Sequence, residues 1–92
     1  MRWAVKQTRR FGRVYKKLNN NVAAHVDEAV SMIAQNPNIG EQKKGDLSHL
    51  WVYKFRCLNQ LYLLGYTRDD SIRLIYLEAI GVRENFYRDF KR

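Results

Sequence analysis

The hydrophobic period of this chain changes at Asn36-Pro37, and the change limits the folds that the chain can adopt. Upstream, residues 9–18 and 22–35 place apolar side chains at the i, i+3, i+4, i+7 spacing of amphipathic helices. Thr8 is positioned to cap the first helix, and Asn36-Pro37 to end the second. Downstream, apolar and polar residues alternate with the period of two that is typical of half-buried strands. Helices followed by strands indicate an α+β fold.

Three downstream segments are predicted to be strands. Residues 50–57 alternate strictly, so aromatic side chains share one face and cations share the other. The first face carries Trp51, Tyr53, Phe55 and Cys57, and the opposite face carries Val52, Lys54 and Arg56. Residues 61–66 are almost continuously apolar, as expected near a sheet centre, and residues 71–79 form the last strand. We expect turns at residues 58–60 and 67–70, a polar connector at residues 38–46, and a short first strand at residues 3–7.

The chain ends in a strand that runs through Gly81 into a short basic segment, for which we predict a helix. Arg83 and Tyr87 would then lie one helical turn apart and share a surface at the end of the sheet. A cation beside a phenol suits a phosphate-bearing partner, and Tyr87 could also stack on a base. The predicted order is β-α-α-β-β-β-α: a helical hairpin packed on a small antiparallel-rich sheet, in a single domain spanning residues 1–92.

The chain is strongly basic, with 17 lysines and arginines against nine acidic residues and a net charge of +8. Seven of the cations lie within residues 1–18, before the first acidic residue, Asp27. Two further basic clusters are Lys43, Lys44, Lys54 and Arg56, and then Arg83, Arg88, Lys91 and Arg92. This excess favours an acidic partner: RNA, DNA, an acidic protein or an anionic membrane surface.

Other classes of site and location find little support in the sequence. No apolar run approaches the roughly 20 residues that span a bilayer, and the N-terminus lacks the apolar region of a secretion signal, so we expect a cytoplasmic protein. Cys57 is the single cysteine and is expected to be a buried thiol. His25 and His49 stand apart from it in sequence, and no phosphate-binding glycine loop is present. We therefore expect no metal site and no cofactor.

Three features, in this order, carry a family resemblance. They are the helical hairpin that ends at Asn36-Pro37, the segment Leu47-Ser-His-Leu-Trp-Val-Tyr-Lys-Phe-Arg56, and the segment Gly81-Val-Arg83-Glu-Asn-Phe-Tyr87-Arg. The segment that ends at Arg56 is similar to a family strand with leucine, a short gap and Tyr-Arg/Lys-x-Arg/Lys. The segment that begins at Gly81 is similar to a Gly-x-His/Arg…Tyr terminus. Together these features resemble the RelE/ParE family of type II toxin–antitoxin toxins over most of the chain.

The resemblance implies a function and a set of site residues. Toxins of the RelE branch cut mRNA in the ribosomal A site without a metal. Lys54 and Arg56 match the basic pair of the family strand, Arg83 the basic residue after the glycine, and Tyr87 the terminal aromatic residue. The implied partners are the ribosome, mRNA and a cognate antitoxin protein.

The resemblance also leaves an alternative open. The next family strand usually opens with an arginine, whereas residues 60–64 here contain no cation. Toxins of the ParE branch share the scaffold, poison DNA gyrase and do not need the nuclease residues. A gyrase poison is therefore the alternative within the family.

The chemistry expected of the four candidate residues follows from their side chains. Cleavage of RNA through the 2′-oxygen needs a base, stabilisation of a charged phosphorane and protonation of the leaving oxygen, and a cluster of cations supplies the stabilisation. Lys54 and Arg56, side by side on a strand, would hold the phosphate. Arg83, at a helix start where the dipole favours an anion, would stabilise the transition state, and Tyr87 would stack on or orient the base. Lys54 and Arg56 equally fit a solvated sheet face, an antitoxin-docking face or a non-toxic RNA-binding module.

Overall fold

The computed structural model describes residues 2–90 of the chain, with side chains up to residue 88. Its elements are β1 (Ala4–Gln7), α1 (Arg9–Lys16), α2 (Asn20–Gln35), β2 (Glu41–Gln42), β3 (Trp51–Cys57), β4 (Gln60–Asp69), β5 (Leu74–Val82) and α3 (Arg83–Phe90). The five strands form one sheet in the order β1-β5-β4-β3-β2. Within the described residues, only the β1–β5 pair is parallel. The α+β fold and the antiparallel-rich sheet are therefore confirmed.

Local capping explains where the two helices of the hairpin begin. The Thr8 hydroxyl accepts a hydrogen bond from the Phe11 amide at 3.1 Å, as predicted. The Asn19 side chain caps α2 in the same way by accepting from the Val22 amide at 3.0 Å, so α2 begins at Asn20, two residues earlier than predicted. The end of α1 at Lys16 is likewise two residues earlier than the predicted position.

Two hydrophobic clusters lie on the two faces of the sheet. The larger cluster joins the hairpin to one face and is built on Phe11, Val26 and Ile33 from the helices with Leu64, Tyr66 and Ile75 from the strands. The smaller cluster joins α3 to the other face and contains Leu50, Val52, Leu63, Ala79 and Phe86. Trp51, Tyr53, Phe55 and Cys57 all pack on the hairpin side, so the predicted alternation of β3 is confirmed. Lys54 and Arg56 consequently lie on the α3 side of the sheet.

The predicted turn at residues 67–70 is wrong, because β4 continues to Asp69. Thr67, Arg68 and Asp69 pair with Tyr76, Ile75 and Leu74 of β5. The connection lies instead between Asp69 and Leu74, where Arg73 has a φ of 51°. The last strand therefore starts at Leu74 and runs through Gly81 to Val82.

Arg68 shows why polarity misled the sequence analysis at this turn. Its guanidinium lies between the rings of Trp3 and Trp51, 5.0 and 4.8 Å from their centroids. It also donates to the Asp70 carboxylate at 2.8 Å. These tertiary contacts stabilise a charged side chain within a strand.

The predicted polar connector at residues 38–46 contains a strand and parts of two short 3₁₀ turns, Pro37–Ile39 and Gly45–Leu47. The strand, β2, pairs with the first part of β3. The buried Tyr66 hydroxyl fixes the start of the connector, donating to the Pro37 carbonyl and accepting from the Gly40 amide. This anchoring places the acidic and basic side chains of the connector beside the α3 face of the sheet.

Candidate functional site

Strand β4 brings two distant cations to the same end of the sheet. Arg56 lies opposite Leu61 in the β3–β4 pair, and Val82, just before Arg83, lies opposite Tyr62 in the β4–β5 pair. A two-residue turn joins β3 to β4, with positive φ angles of 54° and 65° at its two residues. The ends of β3 and β5 therefore lie on either side of the start of β4, although the two strands are far apart in sequence.

A surface cavity of about 470 Å³ opens at this end of the sheet. Its lining residues are Arg56, Asn59, Gln60, Leu61, Arg83 and Glu84. Two of the four predicted site residues, Arg56 and Arg83, thus share one cavity. Leu61 contributes an apolar wall in the strand segment where no cation is present.

Lys54 lies on the same sheet face as Arg56 but does not line the cavity. Its half-exposed ammonium is 4.0 Å from the carboxylate of Glu41 on β2. The same carboxylate is 3.3 Å from the ammonium of Lys43. One acidic side chain from the neighbouring strand therefore lies between two lysines.

Tyr87 contacts Lys43 and does not line the cavity. Phe86 beside it is buried, and their rings meet edge to face with centroids 5.1 Å apart. The Lys43 ammonium lies 5.4 Å from the centroid of the Tyr87 ring. The Tyr87 hydroxyl oxygen is buried, and no hydrogen bond of ordinary geometry reaches it within the described residues. The Lys43–Tyr87 contact is therefore a cation–ring contact, supplemented by attraction to the hydroxyl.

The carboxylate of Glu41 and the ammonium groups of its two lysine neighbours stabilise one another's charges. The Tyr87 hydroxyl and then Glu41 raise the pKa of Lys43 above its ordinary value, against an opposing effect of burial. The nearby ammonium of Lys43, followed by that of Lys54, lowers the pKa of the Glu41 carboxyl. Both groups are therefore charged at neutral pH, and Lys43 can act there only as a cation.

The sequence analysis missed Lys43 and Glu41 as neighbours of the candidate residues. Lys43 was visible in the basic cluster that also contains Lys54 and Arg56. Its contact with Tyr87 could not be read from the sequence because β2 has only two residues and no periodic pattern. The polar lining of the cavity by Asn59, Gln60 and Glu84 was missed as well, because the turn and the start of α3 meet only in the folded sheet.

Other candidate groups lie away from the cavity. Cys57 is buried, as expected, and its sulfur is 3.5 Å from Nδ1 of His25 on the hairpin side. His49 lines a different cavity, with Trp51 and Arg68. Among the side chains that the structure describes, up to residue 88, no three of His, Cys, Asp or Glu are grouped as a metal site would require. None of the helices in this part of the chain combines the length and apolar composition needed to cross a bilayer.

The basic clusters of the sequence come together only in part. Cations from the two later clusters meet at the cavity through Arg56 and Arg83. Arg9, Arg13 and Lys16 of the N-terminal cluster line a separate groove along α1. Arg10 instead lines a small cavity with Asn85 and Phe86 of α3. Lys91 and Arg92 lie outside the described residues.

Comparison with solved structures identifies the fold. The chain is similar to a chain of the toxin–antitoxin complex RelBE2 from Mycobacterium tuberculosis, with a TM-score of 0.79 and 21% identity over 90% of this chain and 100% of that one. It is also similar to a free double mutant of the E. coli toxin RelE, with a TM-score of 0.73 and 18% identity over 88% and 83% of the two chains. A third similar structure is the archaeal RelE–RelB complex from Pyrococcus horikoshii, with a TM-score of 0.64 and 19% identity over 90% and 97%.

Sequence comparison identifies the family. No curated protein gives a significant sequence match. A family model described as a ParE-like toxin of type II bacterial toxin–antitoxin systems matches residues 5–91, which is nearly the whole chain. The chain therefore belongs to the ParE-like toxins of type II toxin–antitoxin systems, within the RelE/ParE group whose fold it shares.

Proposed function

We propose that this toxin inhibits growth by cutting translated mRNA at the ribosome. The observation that carries the proposal is the cavity in which Arg56 and Arg83 lie together, beside a group of lysines and Tyr87. Two guanidinium groups in one cavity suit a phosphodiester at the point of cleavage, because its negative charge increases in the transition state.

The roles proposed for the residues follow from their charges and positions. Attack of the 2′-oxygen on phosphorus forms a pentacoordinate phosphorane, and the 5′-oxygen then leaves. Arg56 and Arg83 stabilise this anion, and they act by charge because guanidinium groups keep their protons at working pH. Lys54, at the next α3-side position of β3, holds a flanking phosphate. Tyr87 orients or stacks on a base, one helical turn from Arg83.

Proton transfer needs a group that can accept a proton. Among the residues that line the cavity, Glu84 carries the carboxylate, whereas Asn59 and Gln60 have neutral amides. Glu84 is therefore the candidate general base for the 2′-hydroxyl, and the proton that it takes up returns through water to the leaving 5′-oxygen as the 2′,3′-cyclic phosphate forms. Leu61 supplies an apolar surface against which a ribose or base can pack.

We also infer that a cognate antitoxin neutralises the toxin. The similar structures from M. tuberculosis and P. horikoshii are toxin–antitoxin complexes. The net charge of +8 favours an antitoxin with an acidic toxin-binding segment. Such a partner and the RNA would compete for the same cations.

The test is controlled expression in a bacterial host with primer extension on a translated reporter mRNA. We expect growth arrest and new 5′ ends within the reading frame, and loss of both in Arg83→Ala. Loss of one such charged contact typically lowers the rate about 100-fold or more. The matched control is Arg2→Ala. Arg2 lies beside the start of β1, which pairs with the start of β5, whereas Arg83 follows the end of β5. The two arginines are therefore at opposite ends of β5. Cleavage that persists at wild-type rate in Arg56→Ala and Arg83→Ala would refute the assignment.

A gyrase poison is the second candidate function, and the observation that favours it is the ParE-like description of the matching family. It predicts growth arrest with intact mRNA, DNA damage and filamentous cells in the same experiment. A third class, a non-toxic RNA-binding module, predicts no arrest and RNA binding that weakens steeply with salt.

A further inference from the structure

Lys43 belongs to the connector, and its side chain contacts Tyr87 of α3. Its amide donates to the Leu50 carbonyl at 2.9 Å, which fixes the backbone beside the start of β3. Its side chain is 21% exposed, compared with 50% for Lys54, so Lys43 is the more covered of the two lysines. An ammonium that loses part of its contact with water is stabilised where neighbouring groups offer negative charge or electron density. Lys43 has both, in Glu41 and in Tyr87.

Helix α3 depends on packing against the sheet to hold its position. It has eight residues, fewer than the roughly 12 that an isolated helix needs to be even marginally stable in water. Phe86 anchors it by packing over Gly65, where a Cβ would lie 2.8 Å from the ring tip. Phe86 fixes the height of the helix above the sheet. Tyr87 also packs against this cluster, and its ring takes one further, charged contact.

Lys43 provides that contact. The ring of Tyr87 has Phe86 at an edge-to-face angle of 88° and the Lys43 ammonium 5.4 Å from its centroid. Glu41 holds the ammonium at 3.3 Å and approaches Lys54 at 4.0 Å. A continuous set of charge contacts therefore runs from β3 through β2 and the connector to α3.

We propose that Lys43 is a positioning residue: its ammonium, held by Glu41, orients Tyr87 and couples it to Lys54. The contribution to cleavage rests on the proposed function, whereas the orientation of Tyr87 does not. Lys43 acts through Tyr87 and need not touch the RNA.

The first part of the test measures cleavage by the full chain in a reconstituted translation system. Lys43→Met keeps most of the length of the side chain but removes its charge. We expect kcat to fall about three- to tenfold with KM changed less than about twofold, because the tyrosine is misplaced while the phosphate contacts remain. Lys43→Arg should recover most of the rate, since a guanidinium also stacks on aromatic rings. The matched control is Lys44→Met, a neighbouring exposed lysine.

The other part of the test does not depend on activity. Hydrogen exchange of the α3 amides should be several-fold faster in Lys43→Met than in Lys44→Met. An NMR titration of the lysine side chains should show a lower pKa for Lys43 in Tyr87→Phe, because the phenol hydroxyl raises it in the wild type.

The two parts separate the two hypotheses. If the wild type does not cleave mRNA but α3 exchange responds to Lys43→Met, the proposed function fails and the positioning role stands. If Lys43→Met matches Lys44→Met in exchange, or if the wild type cleaves and Lys43→Met keeps its full kcat, the positioning role is overturned.

Discussion

At the scale of single residues, Tyr66 shows how one side chain fixes the approach of the connector to the sheet. It is fully buried, and its hydroxyl donates to the Pro37 carbonyl and accepts from the Gly40 amide. A Cβ at position 40 would overlap that hydroxyl, so glycine is required there by close approach. Tyr66 thereby positions Glu41 and Lys43, which follow directly in the chain.

Removal of the Tyr66 hydroxyl should therefore destabilise the protein. Tyr66→Phe leaves the Pro37 carbonyl and the Gly40 amide without this partner, at a cost of about 1–3 kcal/mol in the free energy of unfolding. Urea denaturation measures the difference. Tyr76→Phe, at an exposed position of β5, is the matched control and should change stability by less than about 0.5 kcal/mol. Equal unfolding midpoints for the two variants would contradict the prediction.

At the scale of elements, the position of α3 depends on the absence of a side chain at Gly65. Phe86 occupies the space above this residue, and Leu50 closes it from the side. The pairing register of β4 with β5 shifts between Gly65 and Tyr66, at the same point in the sheet. A larger residue here would lift α3 away from the sheet, and Tyr87 with it.

Gly65→Ala tests this packing. Its Cβ would meet Phe86 at 2.8 Å and Leu50 at 3.2 Å, in a tightly packed core. We expect a loss of about 1–3 kcal/mol of stability and, under the proposed function, a marked fall in mRNA cleavage. Gly81→Ala is the control, because a Cβ there has no neighbour within 4 Å. A Gly65→Ala variant as stable and active as Gly81→Ala would show that α3 is not held in this way.

At the scale of the whole molecule, three groups stabilise the fold only while they are protonated, so they make it sensitive to alkali. Burial raises the pKa of Tyr66 above 10.0, with smaller opposing effects from the Gly40 amide and Arg68. The hydrogen bond to Asp27 raises the pKa of Tyr15, and the Tyr87 hydroxyl raises the pKa of Lys43 above 10.5. Each group contributes stability that is fully present below its ordinary pKa and is lost as the pH rises through the higher folded-state pKa.

We therefore expect the free energy of unfolding to fall steadily above about pH 10. Urea denaturation at a series of pH values from about 8 to 11.5 measures the slope. In Tyr15→Phe the slope should be smaller, because one of the three titrating groups is absent. A stability that stays constant across this range would contradict the assignment of the three shifts.

Features that depend on local interactions were predictable from the sequence. The helix caps at Thr8 and Asn36, the alternation of β3 and the helix α3 all follow from neighbouring residues. Arg56 and Arg83 were recognised as candidates from their motifs. Their roles in catalysis remain a prediction.

Which of these residues meet depends instead on tertiary contacts. Arg56 reaches Arg83 because β4 pairs with both neighbouring strands, and Lys43 reaches Tyr87 because a two-residue strand pairs with β3. Arg68 belongs to a strand, despite its polarity, because two tryptophan rings enclose it. Such contacts join residues far apart in sequence, and their energy depends on packing that no local pattern encodes.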